Sequence, residues 1–215
     1  MVKIAPSILS ANFSNLKEEI TLVDQAGADY IHIDIMDGHY VPNITFGPNI
    51  VKTVNQLTDK ILDVHLMISP VMSFIENFAK AGADIISFHP EAETEPLKVI
   101  NLIKKFNCKA GIAIHPNVKI SEIENYLNLI DIVVVMTVVP GFEGQIFIND
   151  QISKISFLSN YKNENKLNFE IEVDCGINEK TGRICRENGA DVLVAGSYIY
   201  NSNSTKYKNI IENLR

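Results

Sequence analysis

The sequence predicts a single (β/α)8 TIM barrel over residues 1–215, on three observations. Short β-branched runs alternate with longer amphipathic segments from end to end. The spacing is about 25 residues per unit, enough for one strand, one helix and two short loops. The junctions Gln25-Ala26-Gly27-Ala28-Asp29, Lys80-Ala81-Gly82-Ala83-Asp84 and Asn188-Gly189-Ala190-Asp191 repeat one punctuation, each ending a helix before a strand. Glycine there suits a left-handed helix terminus. Strand-then-helix alternation implies a parallel sheet, and eight such units close it into a barrel.

Taken in order, strands are expected at residues 4–9, 30–35, 62–68, 85–89, 109–114, 132–138, 169–174 and 192–196. Between them apolar residues recur at helical spacing, as in Leu16, Ile20 and Val23, or Ile123, Leu127 and Ile130. Residues 160–168 read as a solvated loop before the seventh strand, and the chain from Asn201 as an exposed final helix. Hydrophobic residues make up 46% and charged residues 21%, the balance of a globular protein with one sizeable core. No apolar run reaches membrane-spanning length, and the N-terminus carries no secretory pattern. Cys108, Cys175 and Cys185 form no close pair and no zinc-ribbon spacing, so a reducing cytoplasm is expected. A net charge of −7 argues against nucleic acid or an anionic membrane as partner.

The chemistry concentrates at the carboxyl ends of three strands, where this fold places its reactive groups. In His32-Ile33-Asp34-Ile35-Met36-Asp37-Gly38 the side chains of His32, Asp34 and Met36 share one face of a strand. Leu62-Asp63-Val64-His65-Leu66-Met67 supplies His65, and Ile171-Glu172-Val173-Asp174 supplies Asp174. Buried charges are rare unless paired or metal-bound, so four such residues on three apolar strands read as a metal site. Two imidazoles and two carboxylates suit one divalent cation such as Zn²⁺, Fe²⁺, Mn²⁺ or Co²⁺. Two carboxylates flanking such an ion suit proton removal beside a carbonyl, with return of a proton to the opposite face. Met36, Met67 and Met136 then read as a dry, polarisable wall around a planar enediolate. His89 and His115, each followed by proline, read as rim residues that fix loop geometry.

Glycine-bearing loops follow the later strands: Val139-Pro140-Gly141-Phe142-Glu143-Gly144-Gln145, Asp174-Cys175-Gly176-Ile177-Asn178 and Ala195-Gly196-Ser197. This fold binds phosphate on the loops after strands seven and eight. None of the three loops contains lysine or arginine, so backbone N–H groups, the Ser197 hydroxyl and a helix dipole would hold the anion.

These segments, with Ala5-Pro6-Ser7-Ile8-Leu9, Val41-Pro42-Asn43 and Val135-Met136-Thr137-Val138, resemble the ribulose-phosphate 3-epimerase family along essentially the whole chain. The resemblance implies a barrel of the ribulose-phosphate-binding type and a metal held by His32, Asp34, His65 and Asp174. It implies Asp34 as proton acceptor and Asp174 as proton donor, with Ser7 and His65 touching substrate near the reacting end. Gly141, Phe142, Glu143, Gly144, Cys175, Gly176, Gly196 and Ser197 would hold the phosphate end. It further implies reversible C3 epimerisation of D-ribulose 5-phosphate to D-xylulose 5-phosphate, in a homo-oligomer (dimer or hexamer) of the pentose phosphate pathway. The chain departs from the family's glycine at Glu143 and at Cys175; at Glu143 a positive φ would add strain, although a side chain turned to solvent leaves the backbone free. Rival readings are an epimerase of a six-carbon ketose phosphate, such as allulose 6-phosphate, and a non-catalytic phosphate-binding barrel. A metal-assisted decarboxylase is discounted because no lysine stands beside Asp34 or Asp174.

Overall fold

The computed structural model describes residues 1–142 and 144–215. Eight parallel strands run β1 (Lys3–Pro6), β2 (Tyr30–Met36), β3 (Ile61–Met67), β4 (Ile85–Phe88), β5 (Lys109–Ile114), β6 (Ile132–Met136), β7 (Glu170–Asp174) and β8 (Val192–Ala195). They are ordered β1-β8-β7-β6-β5-β4-β3-β2, and a parallel bridge between Ser7 and His32 joins the two ends into a nearly closed barrel. The outer layer is α1 (Leu16–Gln25), α2 (Pro48–Asn55), α3 (Ile75–Ala81), α4 (Pro96–Lys105), α5 (Ile152–Glu164), α6 (Glu179–Glu187), the short α7 (Ser197–Tyr200) and α8 (Tyr207–Leu214).

Strand periodicity divides the chain into two cores. On β2, Ile31, Ile33 and Ile35 face outward into the main apolar cluster with helix residues such as Ile20, Val23 and Val51. Tyr30, His32, Asp34 and Met36 alternate with them and face the barrel interior. Ala5, Tyr30, Ile85, Ile132, Val192 and Val194 form an apolar cluster within that interior, with Val194 reaching the cleft above it. The polar residues therefore lie above an apolar floor, towards the carboxyl ends of the strands.

The repeated junctions have a second role. Gly27, Gly82 and Gly189 take φ of 94°, 108° and 102°, the left-handed helix ends expected of glycine. The aspartates beside them cap neighbouring strands: Ile4 N donates to Asp29 Oδ2 at 2.8 Å, Leu62 N to Asp84 Oδ2 at 2.8 Å and Ile171 N to Asp191 Oδ2 at 2.9 Å. Asp131 does the same for Ala110 N at 2.9 Å. Hydrogen bonds to charged acceptors contribute about 1.5–3 kcal/mol each. Asp84→Ala is accordingly expected to destabilise the fold by about 1–3 kcal/mol in urea unfolding, with Asp84→Asn recovering part of the loss.

Three expectations are corrected. The first strand ends at Pro6, because Ser7 accepts a hydrogen bond from Leu9 N and caps a 3-10 turn over Ile8–Ser10. Residues 120–126 form two 3-10 turns, Ile120–Glu122 and Glu124–Tyr126, in place of an α-helix, although Ile123, Leu127 and Ile130 are buried as their spacing predicts. So short a segment gains little from helical propagation and is held by packing instead. Residues 160–164 belong to α5, where Lys162 reaches Asp191 at 2.7 Å; the solvated loop is shorter than its composition suggests.

Candidate active site

Strands β2, β3 and β7 bring His32, Asp34, His65 and Asp174 to one buried point, with ligand-type atoms all within 4.8 Å of one another. Asp34 Oδ1 lies 3.4 Å from His32 Nε2 and 3.4 Å from His65 Nδ1, while Asp174 Oδ2 lies 3.6 Å from His65 Nδ1. These separations are long for hydrogen bonds. They match donors arranged around a cation, which stand about 3.0–3.5 Å apart when each bond is about 2.0–2.2 Å. His32 Nε2, His65 Nδ1 and Asp174 Oδ2 are buried without a hydrogen-bond partner. Such groups are costly unless something occupies the space between them. The residues present therefore fit a divalent cation.

The carboxylate-bearing strand ends are clipped in place by threonines. Thr45 Oγ1 donates to Asp34 O at 2.6 Å and accepts from Met36 N at 3.0 Å; Thr137 Oγ1 donates to Asp174 O at 2.9 Å. Ser7 Oγ donates to Asp34 Oδ2 at 2.6 Å, orienting the carboxylate from β1. Asp37 accepts from the N–H groups of His39, Tyr40 and Ser69, pinning the loop that follows β2.

Asp63 and Glu172, given no role from sequence, and His89, read there as a rim residue, support this centre. Asp63 Oδ2 lies 2.6 Å from His32 Nδ1, and Glu172 Oε1 stands 3.6 Å from the same nitrogen. His65 Nε2 lies 3.0 Å from His89 Nε2, so His89 is part of the site and not the rim residue its Pro90 neighbour suggested. The signal available for Asp63 and Glu172 was the two-residue period that pairs them with His65 and Asp174. His115 does serve its loop, accepting from Asn117 N at 3.2 Å.

Electrostatics follow from this crowding. Burial works against a charged His32, but Asp34 and Asp63 outweigh it and hold the ring's pKa well above the imidazole range. Burial likewise opposes ionised Asp34, yet His32 and His65 hold it far below the usual carboxylate range. Glu172 is pushed well up by burial and by the charge of Asp63. His89, fully buried, is lowered to about 4, chiefly by desolvation.

A cleft opens over the centre. Ser7, Asp34 and Asp174 line one end and Met36 and Met67 a wall; Gly141, Phe142, Gly144, Cys175, Gly176, Gly196 and Ser197 line the rest. Met136 is not among the lining residues and is buried with Ala113, Val134 and Cys175. Glu143 lies outside the described residues. Among the described residues of this cleft Cys175 takes a left-handed φ of 79°, as Gly141, Gly144 and Gly176 do, and for a non-glycine residue that costs about 1–2 kcal/mol. At Gly196 a Cβ would stand 2.6 Å from Ser10 Oγ, so a larger residue there would force the Ser10 side chain to shift. Among the described residues lining this cleft, none is lysine or arginine.

A (β/α)8 barrel with two carboxylates meeting at one histidine beneath a glycine-walled cleft, at the carboxyl ends of the strands, is the framework of a barrel enzyme. The Ribulose-phosphate 3 epimerase family profile matches residues 3–200. Among individual relatives, ribulose-phosphate 3-epimerase of Bacillus subtilis is 48% identical over 207 residues, covering 96% of this chain and 95% of that one. The Synechocystis enzyme of the same name is 46% identical, covering 94% and 88% of the two chains. Among solved structures, KGPDC from Streptococcus mutans superposes with a TM-score of 0.75 at 14% identity, covering 100% of this chain and 95% of that one, a likeness of fold. The chain belongs to the ribulose-phosphate 3-epimerase family, and with it to the epimerase class of isomerases.

Proposed function

We propose that this protein interconverts D-ribulose 5-phosphate and D-xylulose 5-phosphate by taking the C3 proton onto one aspartate and returning a proton to the opposite face from a second. The observation that carries the mechanism is that Asp34 and Asp174 reach the same His65 Nδ1, at 3.4 and 3.6 Å, from β2 and β7. Those strands are separated around the barrel by β1 and β8, so the two carboxylates address a bound substrate from different sides.

In this reading His32, Asp34, His65 and Asp174 would hold one divalent cation, Zn²⁺, Fe²⁺, Mn²⁺ or Co²⁺. Such a cation supplies Lewis acidity that makes a C–H beside a carbonyl removable at neutral pH. Asp34 takes the proton from C3 on one face, the C3–H electron pair passing into the enediolate of the substrate. Asp174 delivers a proton to C3 on the other face, and the configuration inverts. Ser7 keeps Asp34 oriented through the transfer, and the buried methionines Met36 and Met67 keep water from that side of the enediolate. Gly141, Phe142, Gly144, Cys175, Gly176, Gly196 and Ser197 bind the phosphate end through uncharged groups. Family membership supports homo-oligomeric assembly, a cytoplasmic place and a role in pentose phosphate metabolism; among the described residues no helix is long and apolar enough to cross a membrane.

The deciding test compares turnover on D-ribulose 5-phosphate and on a six-carbon ketose phosphate, with C3 deuterium exchange followed in parallel. Faster turnover of the hexose sugar would reassign the substrate, and metal binding without C3 exchange would mark a non-catalytic barrel. Ser197→Ala is expected to raise KM about tenfold with kcat little changed, because phosphate binding is shared by ground and transition states. Steady-state kinetics check it.

A further inference from the structure

We infer that His89 is a positioning residue for His65, its tautomer set by Glu91, so that the lone pair of His65 Nδ1 faces the cation centre. The inference rests on the reading of that centre as a metal site.

His89 stands at the end of β4, fully buried, with its Nε2 3.0 Å from His65 Nε2 and the two ring centroids 5.1 Å apart. Two imidazole nitrogens at that distance share one proton, and the choice of owner decides what His65 offers on its other nitrogen. If His89 Nε2 carries it, neutral His65 holds its own proton on Nδ1, in the space between Asp34 and Asp174. If His65 Nε2 carries it, Nδ1 presents a lone pair to that space.

Glu91 selects the second arrangement. Its Oε1 lies 3.5 Å from His89 Nδ1, which makes no hydrogen bond, so it is the nearby carboxylate charge that favours the ring's proton on Nδ1 and leaves Nε2 to accept from His65. Glu91 is itself held by Tyr40, whose hydroxyl donates to the same Oε1 at 2.9 Å, while the Tyr40 ring packs 5.0 Å from His89. On the other histidine Asp63 does this work directly, at 2.6 Å from His32 Nδ1. The centre thus uses a carboxylate on His32 and a histidine backed by a carboxylate on His65. Partners of this kind fix ring orientation, and their loss typically weakens metal affinity about 10–100-fold.

The test is equilibrium competition for Co²⁺ against a chromophoric chelator, with the Co²⁺ absorption spectrum recorded on the same samples. His89→Leu, which cannot accept from His65 Nε2, is expected to bind Co²⁺ about 10–100-fold more weakly, with an altered spectrum. His89→Gln, whose Oε1 can accept that proton, is expected to stay within about threefold of the unaltered protein. Glu91→Leu, which leaves both rings packed, is expected to bind several-fold more weakly and decides the matter if His89→Leu does not fold. Equal losses in His89→Leu and His89→Gln, or full affinity in His89→Leu or in Glu91→Leu, would overturn the inference. Failure of the unaltered protein to bind Co²⁺ would instead remove the metal reading beneath it.

Discussion

Asp34→Asn and Asp174→Asn are each expected to lower turnover by at least about a thousandfold, some 4 kcal/mol of transition-state stabilisation. Asparagine nearly preserves shape, and at position 34 its carbonyl can still accept from Ser7 Oγ, which lies 2.6 Å from the carboxylate. The substitutions therefore remove proton transfer and charge with little loss of packing. The two-base scheme makes a sharper demand than loss of rate. With Asp174 replaced, Asp34 can still exchange the C3 hydrogen of one epimer with solvent deuterium while interconversion stops. With Asp34 replaced, exchange is confined to the other epimer. Measuring deuterium uptake into each sugar, with metal content determined on the same preparations, separates a lost base from a lost ligand. Near-normal epimerisation in either variant would defeat the mechanism.

What sequence made legible follows from periodicity. The strand at residues 109–114 coincides with β5, and the two-residue period of β2 was enough to place His32, Asp34 and Met36 on one face. It did not place Asp63 beside His32, because that depends on the register of two strands distant in sequence. In the parallel β2–β3 ladder His32 is paired with Asp63 and Asp34 with His65, so one register sets both the support and the ligand pair. The contact of His65 with His89 depends on the β3–β4 pairing and on two side-chain rotamers, which leave no trace in local pattern. Cys175 shows a different boundary. Its left-handed φ falls where the resemblance led one to expect glycine, and the cysteine itself carries no local signal of that conformation. The turns at residues 120–126 kept their predicted burial and lost their predicted helix, because apolar spacing reports which face is covered and not how the backbone is bonded.

Removal of divalent metal by chelation is expected to abolish turnover and also to lower thermal stability, both restored by adding the cation back. The stability effect comes from the same atoms as the catalytic one. His32 Nε2, His65 Nδ1 and Asp174 Oδ2 have no hydrogen-bond partner of their own, and burial denies them bulk water. A cation at about 100 times its dissociation constant stabilises the folded state by about 2.7 kcal/mol. For a chain of this size each kcal/mol moves Tm by about 2–4 °C, so a fall of about 5–10 °C is expected. The measurement is a pair of melting curves, with and without chelator, on unaltered protein and on Asp174→Asn. The shift should shrink in the variant, which lacks one ligand charge, and should be absent for a chelator already saturated with Zn²⁺. An equal shift in both proteins would place the bound cation somewhere other than between β2, β3 and β7.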